Sequence, residues 1–275
     1  MKETAKKSPY RGKDRRTENE GYRPAQSREA DENMIVGRNA VRELLASERD
    51  IDKVFVLRGE REGSIGALIA QILERKIPLV EIDRRKMDTM CGGASHQGII
   101  AYAAARDYVS IEDILQRAET KGEKPFVLIA DGVEDPHNLG AIIRSAECAG
   151  VHGVIIPKRR AVGLTSVVAK TSAGAIEHMP VARVTNLTAA IEELKKAGVW
   201  VYAADMNGTA YEDTDFSSGV ALVLGSEGEG ISRLVSEHCD MTVSIPMYGM
   251  VNSMNVSAAA AVLVTEVARQ RNRKK

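Results

Sequence analysis

Long apolar runs, aromatic residues and an excess of charge of either sign are scarce or absent in this 275-residue sequence. Aromatic residues make up 4% of the chain, and 38 basic side chains balance 38 acidic ones. No stretch of about 18 uncharged apolar residues occurs, so no membrane-spanning helix is expected. The basic start of the chain is not followed by an apolar segment, so no secretory signal is predicted. Since the net charge is zero, RNA binding would have to use local basic patches.

Cysteine is also scarce. The three cysteines, Cys91, Cys148 and Cys239, lie far apart in the sequence and form no CxxC pair. This spacing argues against a structural zinc site and against a disulfide framework. The five histidines show no metal-ligand spacing either, so we expect no metal cofactor. These absences favour a protein of the reducing cytoplasm that does not bind a membrane.

Both ends of the chain are basic. Residues 1–33 contain no Val, Ile, Leu, Phe or Trp, and the first 16 residues carry seven basic and two acidic side chains. Such a segment cannot bury enough apolar area to offset its ordering entropy, which predicts a disordered basic tail. A solubilising extension and a nucleic-acid-binding arm are both compatible with this composition. Residues 269–275 carry five basic groups and no acid, which is typical of a frayed helix end or a second contact arm.

Apolar periodicity predicts a small α/β domain over residues 34–106. Helical spacing covers residues 35–48 and 64–75, and apolar runs of strand length cover residues 53–57, 77–82 and 97–105. Residues 107–124 contain a charged helix that ends in a glycine turn, and we interpret them as a linker.

Residues 125–275 form a second predicted α/β domain, in which apolar strands alternate with helices. The predicted strands are Phe126–Ala130, Gly153–Pro157, Val181–Val184, 199–203, 220–224 and 242–245. The predicted helices cover residues 139–149, 165–175, 187–197, 230–238 and 254–270. This alternation implies a mostly parallel sheet that is covered on both faces. In such sheets ligands bind at the strand ends, where three polar clusters of this sequence lie.

Asn138 and Arg144 stand out in the first polar cluster, residues 131–150. Asn138 precedes an apolar helix, so capping that helix is one explanation for it. Arg144 has apolar sequence neighbours on nearly all sides. A guanidinium among apolar residues is costly unless an acid pairs with it or it holds a phosphate. We therefore interpret Arg144 as a functional residue, with a structural ion pair as the alternative.

The second cluster, residues 220–232, runs from an apolar strand through a glycine-rich turn into a helix. Gly225, Gly228 and Gly230 let the backbone approach a ligand closely. Their spacing is GxxGxG rather than the GxGxxG of dinucleotide folds, and no GxxxxGK[ST] phosphate loop occurs. The carboxylates of Glu227 and Glu229 would repel a triphosphate but tolerate a neutral or cationic ligand. A plain tight turn is the alternative.

The third cluster places Ser253, Asn255 and Ser257 at the start of the last predicted helix. N-capping explains one of these residues, not all three. The helix that follows has an alanine-rich stretch, residues 258–261, which suits close packing against another helix or a second subunit.

Taken together, the three clusters resemble the motifs of the SpoU (TrmH-type) RNA ribose methyltransferases of the SPOUT superfamily. The matching segments are residues 138–144 (NLGAIIR), 224–230 (LGSEGEG) and 245–257 (IPMYGMVNSMNVS). The first domain carries VGRNAVRELL near its start and HQGIIA in its last strand. It is similar to the substrate-binding domain of the branch that methylates a guanosine ribose of 23S rRNA.

The resemblance implies a fold, a cofactor and partners. The C-terminal domain would thread its last segment through a trefoil knot, a rare exception to unknotted topology. S-adenosylmethionine would be the cofactor, bound near Gly225, Gly230, Ile245, Met247 and Met254. The family is dimeric, so a homodimer with an active site completed at the subunit interface is implied. RNA, most specifically 23S rRNA, would be the substrate.

Five residues carry over as catalytic by resemblance: Asn138, Arg144, Glu227, Ser253 and Asn255. In the family the arginine that matches Arg144 is proposed as the general base for the ribose 2′-hydroxyl. Arginine is effectively always protonated in proteins. Holding the adjacent phosphate, while the proton passes to phosphate or water, is an equally good role for it. Asn138 would orient Arg144, and the other three residues would position Arg144, cofactor and ribose.

The leading hypothesis is S-adenosylmethionine-dependent 2′-O-methylation of a guanosine ribose in 23S rRNA. A tRNA or another rRNA is the competing target within the same family. A non-catalytic RNA-binding module is the alternative of a different class. A nucleotide-phosphate enzyme is disfavoured, because the glycine-rich turn carries two carboxylates and no phosphate-loop lysine.

Overall fold

A computed structural model describes residues 33–47, 49–59, 63–92 and 94–272. The predicted basic tail, apart from Asn33, and the last three residues lie outside this part of the chain. Among the described residues, no helix combines the length and the apolar character that a membrane crossing requires. All three cysteines are free thiols.

The N-terminal part of the chain builds a four-stranded mixed sheet. Its elements in chain order are β1 (Met34–Val36), α1 (Arg38–Ala46), β2 (Ile51–Leu57), α2 (Ser64–Glu74), β3 (Leu79–Ile82), α3 (Arg84–Cys91) and β4 (Ile99–Ala103). The spatial order of the strands is β1-β4-β2-β3, in which only β2 and β3 pair in parallel. Apolar residues of α1 and α2 cover one face, and α3 covers the other.

Two short elements of this part of the chain, one strand and one helix, are not predicted from the sequence. The apolar periodicity predicts a single helix over residues 35–48, but Gly37 adopts a φ of 98° and separates β1 from α1. Helix α3 has only Met87 and Cys91 buried, and most of its other residues are charged or polar, so no apolar run marks it in the sequence. The available signal is Asp83, whose side chain accepts a hydrogen bond from the Lys86 amide and caps α3.

The charged helix of the predicted linker is α4 (Ile111–Thr120), and it packs on the second sheet. Ser110 and Asp113 form a capping box at its start. Ile111 and Ile114 belong to the apolar core beneath that sheet. A Cβ atom on Gly153 would lie 2.5 Å from the Ile114 side chain, so α4 packs closely against residue 153 and a larger residue there would displace Ile114.

The C-terminal part of the chain builds a six-stranded parallel sheet, as the alternation of strands and helices predicts. Its strands are β5 (Phe126–Ala130), β6 (Gly153–Pro157), β7 (Val181–Val184), β8 (Val199–Ala210), β9 (Gly219–Leu224) and β10 (Met241–Ser244). Its helices are α5 (Pro136–Cys148), α6 (Ser166–Thr171), α7 (Leu187–Lys196), α8 (Arg233–His238) and α9 (Val256–Asn272). The spatial order is β10-β8-β9-β5-β6-β7, and every neighbouring pair is parallel. Helices α5 and α9 pack on one face, and α4, α7 and α8 pack on the other.

Strand β8 extends beyond its predicted end at residue 203 because it is interrupted rather than finished there. Thr242 of β10 pairs with Ala203, but the next residue, Val243, pairs with Thr209. Residues 204–208 therefore bulge out of the ladder at the carboxyl end of the sheet. An apolar run predicts a strand only over the residues that are themselves apolar. A polar bulge, and the strand residues that follow it, are therefore not predicted from the sequence pattern.

A buried ion pair joins the two sheets. The Arg183 guanidinium of β7 donates to the Asp52 carboxylate of β2 at 3.0 Å and to the Asp52 carbonyl at 2.6 Å. The Tyr108 hydroxyl donates to the same carboxylate, and its ring stacks under Arg183. The side chains of Arg183 and Asp52 are 6% and 4% exposed. Burial raises the pKa of the Asp52 carboxyl, and the nearby Arg183 opposes that rise.

Candidate active site

Three loops converge where the direction of the sheet reverses. After β5 the chain moves toward β6 and β7, whereas after β9 it moves to β10 at the opposite edge. Strands β5 and β9 are neighbours, so the loops that follow them flank a crevice at the carboxyl ends of the strands. Residues 131–135 follow β5, residues 225–232 follow β9, and residues 245–255 follow β10.

An amide–carboxylate network ties these loops together. The Asn138 side-chain nitrogen donates to the Glu227 carboxylate at 3.1 Å. The Asn255 side-chain nitrogen donates to the same carboxylate oxygen, and also to the Asn138 amide oxygen at 3.0 Å. Three of the five predicted catalytic residues thus form one cluster, although Asn138 and Asn255 lie 117 positions apart in the sequence. Two amide donors on one oxygen hold the Glu227 side chain in a fixed orientation.

Asn138 reaches this network because it lies inside α5 rather than at its cap. The cap is Asp135, whose carboxylate accepts a hydrogen bond from the His137 amide at 2.8 Å. Capping, the alternative explanation for Asn138, is therefore excluded. Asn138 is the third residue of α5, is buried, and turns its amide toward Glu227.

The glycine-rich turn after β9 closes on itself. The backbones of Ser226 and Gly230 exchange hydrogen bonds of 3.0 and 3.1 Å. A Cβ atom on Gly225 would lie 2.1 Å from the Gly230 carbonyl carbon, so only glycine fits there. Gly228 and Gly230 have φ values of 97° and 69°, which glycine adopts without strain. The turn therefore presents Glu227 at its tip on a tightly constrained backbone.

The side-chain amide of Asn255 forms hydrogen bonds through both its oxygen and its nitrogen. Its amide oxygen accepts from the Ser257 amide at 2.9 Å and from the Ala258 amide at 3.3 Å, which caps α9. Its nitrogen is thereby left to donate to Asn138 and Glu227. The cap fixes which way the amide points, so the helix start and the site share one residue.

A cavity of about 550 Å³ lies beside the glycine-rich turn. All five predicted cofactor-binding residues line it: Gly225, Gly230, Ile245, Met247 and Met254. Ser253, Asn255 and Glu227 of the predicted catalytic set line it as well. Its lining mixes apolar and polar side chains, contains the carboxylates of Asp205 and Glu227, and contains no lysine or arginine among the residues that the structure describes.

A second, larger cavity of about 1070 Å³ lies on the other side of the same turn. Both cavities are lined by Ser226, Glu227, Gly230 and Val256. Asn138 lines the larger one and Asn255 the smaller one, so the amide–carboxylate network stands at the boundary between the two. A group bound in one cavity can thus meet a group bound in the other beside Glu227.

Arg144 lies apart from both cavities. It is exposed, and it makes no hydrogen bond or ion pair with any residue that the structure describes. Six residues of α-helix correspond to about 9 Å of rise and about 240° of rotation, which puts Arg144 and Asn138 on different faces of α5. The prediction that Arg144 is surrounded by apolar residues is wrong, because its apolar sequence neighbours point into the core.

Several cavity residues escape sequence reasoning. Ala204, Asp205 and Met206 line the smaller cavity from the bulge of β8, which no local pattern predicts. Arg160 and Arg233 line the larger cavity from segments without a recognisable motif. Asp131 lines it too and accepts a hydrogen bond from the Ser232 amide at 2.8 Å. Its position directly after β5 is the sequence signal that could have identified it.

Among residues 33–272, so far as they are described, no group of His, Cys, Asp and Glu is arranged to hold a metal ion.

Comparison with known families matches both parts of the chain. The model of the SpoU rRNA Methylase family matches residues 125–265. The model described as RNA 2′-O ribose methyltransferase substrate binding matches residues 34–109.

Known relatives share nearly the whole chain. A protein of Bacillus subtilis (strain 168), named as a TrmH family tRNA/rRNA methyltransferase, is 46% identical over 86% of this chain and 96% of its own. One of the same description from Staphylococcus haemolyticus is 45% identical over 87% of this chain and 96% of its own.

Solved structures share the fold. The SpoU methyltransferase AviRb from Streptomyces viridochromogenes, in complex with the cofactor AdoMet, gives a TM-score of 0.54 at 23% identity, covering 87% of this chain and 90% of its own. An AdoMet-bound rRNA methyltransferase from Sinorhizobium meliloti gives 0.53 at 23% identity, covering 86% of each chain. At this identity the likeness concerns the fold alone.

Proposed function

The chain belongs to the SpoU rRNA methylase family, and from this premise we propose that it transfers the methyl group of S-adenosylmethionine to a ribose 2′-hydroxyl of RNA. The preferred target is a guanosine of 23S rRNA, as the resemblance of the first domain suggests. The proposal includes a trefoil-knotted path for the C-terminal segment and a homodimer. The observation that carries it is the network of Asn138, Glu227 and Asn255 at the boundary of two cavities.

The smaller cavity suits S-adenosylmethionine. Its volume of about 550 Å³ falls in the range typical of small-molecule sites. Apolar residues such as Leu224, Ile245 and Leu263 suit the flat face of an adenine, and the close backbone at Gly225 suits hydrogen bonding to its edge. A sulfonium cation is compatible with a lining whose described residues include two carboxylates and no cationic side chain. When bound, this cofactor supplies an activated methyl group.

The protein's own part in the reaction is positioning. The larger cavity receives the target nucleoside, and Glu227 at the boundary directs the ribose toward the smaller cavity. Because Asn138 and Asn255 fix the Glu227 carboxylate, its free lone pairs accept a ribose hydroxyl hydrogen bond in one geometry. Ser253 lines the smaller cavity and offers a hydroxyl for the cofactor's polar groups.

Arg144 acts from a second subunit. It lies on a different face of α5 from Asn138 and lines neither cavity of its own chain. A guanidinium stays protonated, so its role is to hold the phosphate next to the reacting hydroxyl and to draw that hydroxyl into line. The proton then passes to phosphate or water. A site completed across a dimer interface requires an exposed arginine, and Arg144 is exposed and has no partner in the described part of its own chain.

Methyl transfer from labelled S-adenosylmethionine to RNA from cells lacking this protein tests the proposal. The RNA is separated into 23S, 16S and tRNA, and the labelled nucleoside is identified by mass. Label in 23S rRNA as 2′-O-methylguanosine is the expected result. Label in tRNA would keep the chemistry but overturn the target. Absence of label in every fraction and in assembling ribosomal particles, with cofactor binding intact, would favour a non-catalytic RNA-binding module.

Gly225→Ala is expected to weaken S-adenosylmethionine binding at least about tenfold, or about 1.4 kcal/mol, while the protein stays folded. The added Cβ would collide with the backbone of Gly230, so the turn has to open and the smaller cavity loses its wall. Isothermal titration calorimetry measures the affinity, and circular dichroism checks the fold. Gly249→Ala is the matched control, since nothing lies within 4 Å of its added Cβ. Equal affinities for both variants would contradict the proposed cofactor site.

A further inference from the structure

The larger cavity is acidic, which is unexpected for a protein that acts on a polyanion. Six carboxylates line it: Asp131, Glu134, Asp135, Glu227, Glu229 and Glu237. Among the described residues, two cationic side chains do so, Arg160 and Arg233. A phosphate inside such a cavity would meet mostly like charge. A neutral ribose and base fit there, so the phosphates of the chain have to lie at the opening.

Arg160 is the cation of this cavity that is available for a phosphate. The Arg233 guanidinium is paired with Glu237 at 2.7 Å. Arg160 is exposed and makes no hydrogen bond or ion pair within the described part of the chain. Its five N–H donors are therefore free for an RNA phosphate, which guanidinium groups bind in a bidentate manner.

The backbone holds Arg160 in an unusual conformation. Its φ is 53°, in the left-handed region that residues other than glycine rarely adopt. Such a conformation persists where the surroundings fix it, and it often occurs at functional sites. Before Arg160, the Lys158 amide donates to the Val184 carbonyl at 2.8 Å. After it, the Val162 amide donates to the Val133 carbonyl at 3.0 Å. The side chain projects from a loop that is tied at both ends.

The same loop is also tied to the N-terminal sheet. The Leu164 amide donates to the Tyr108 hydroxyl at 2.9 Å, and that hydroxyl donates to Asp52 of β2. A Cβ atom on Gly163 would lie 2.2 Å from the Asp52 carboxyl group, so the loop backbone rests directly against it. The sheet that matches the substrate-binding model therefore contacts the loop that carries Arg160.

We propose that Arg160 binds an RNA backbone phosphate beside the target nucleotide, while the acidic cavity admits only the uncharged part of that nucleotide. This assignment rests on the proposed function. It makes Arg160 an RNA-binding residue, which the Asp52–Tyr108 contact places next to the sheet that matches the substrate-binding model.

Arg160→Ala tests the assignment against Arg159→Ala, a neighbouring exposed arginine that does not line the cavity. Using unmodified 23S rRNA, we expect Arg160→Ala to raise KM about tenfold, the loss typical of one charge-assisted hydrogen-bonded contact. The kcat at saturating RNA and the affinity for S-adenosylmethionine stay as in the wild type. Arg160→Lys keeps the charge but not the bidentate geometry, so its KM should lie between those of the wild type and Arg160→Ala.

The salt dependence of RNA binding provides a second readout that needs no catalysis. Loss of one phosphate contact lowers the slope of log K against log salt by about 0.7 to 0.9. Arg160→Ala is expected to show this decrease and Arg159→Ala to show none. Identical KM values and slopes for the two variants would overturn the assignment. If the wild-type protein binds RNA but methylates no RNA fraction, the proposed function is overturned instead. The salt-dependence slopes of the two variants would still test whether Arg160 binds a phosphate.

Discussion

Replacing Arg144 by alanine is expected to lower the rate of methyl transfer about a hundredfold or more, the loss typical of removing one preorganised donor at a reacting centre. S-adenosylmethionine binding should stay unchanged, because Arg144 does not line the smaller cavity. The fold should also stay intact, because the side chain is exposed and has no partner among the described residues. Single-turnover transfer of labelled methyl groups measures the effect. Arg144→Lys, which keeps the charge without the planar fork, should recover part of the rate.

The proposal that Arg144 serves the partner's site has a sharper test. Asn138→Ala breaks the network on Glu227 and is expected to be inactive as well. A dimer purified with one Arg144→Ala subunit and one Asn138→Ala subunit contains one site with both substitutions and one with neither. It should therefore show about half of the wild-type activity.

The matched control for this experiment is a dimer of Arg144→Ala with a subunit that carries both substitutions. That dimer has no intact site, so it should be inactive. If the mixed dimer is as inactive as this control, Arg144 acts within its own subunit. If no mixed dimer forms when the two tagged chains are expressed together, the homodimer itself is ruled out.

Arg144 also shows how far a sequence pattern predicts a site. Motif spacing places Asn138, Glu227 and Asn255 at strand ends and helix starts, and a parallel sheet brings such positions to one edge. The structure brings these three side chains together. The environment of Arg144 could not be predicted in the same way, because apolar neighbours in sequence lie on other faces of a helix.

Some elements of the fold can likewise be predicted from local sequence, whereas others depend on distant residues. The strands of the C-terminal sheet are predicted well, because buried parallel strands are continuous apolar runs. Strand β1 and helix α3 are missed, since one is three residues long and the other is mostly exposed. The bulge of β8 and the loop of Arg160 depend on pairings with residues far away in sequence. No local period encodes such contacts, and these are the segments that shape the cavities.

Asp52 is the residue for which we expect the largest effect on stability. Asp52→Ala should lower the free energy of unfolding by about 3–5 kcal/mol, the loss typical of breaking a buried ion pair by removing one partner. The substitution leaves the Arg183 guanidinium buried without its carboxylate and the Tyr108 hydroxyl without its acceptor. Urea unfolding followed by circular dichroism measures the change. Asp50→Ala, which removes an acceptor for the Tyr108 amide and a like charge near Asp52, is the control and should cost at most about 1 kcal/mol.

A double-mutant cycle separates the pair from the packing around it. Asp52→Ala combined with Arg183→Met should cost less than the sum of the two single losses, because the double variant leaves no unpaired buried charge. A purely additive cycle, or a loss for Asp52→Ala no greater than that for Asp50→Ala, would show that the pair contributes little. The cycle also bears on function, since Asp52 contacts the loop that carries Arg160. If that contact sets the register of the RNA, Asp52→Ala raises the KM for RNA even at temperatures where the variant is fully folded.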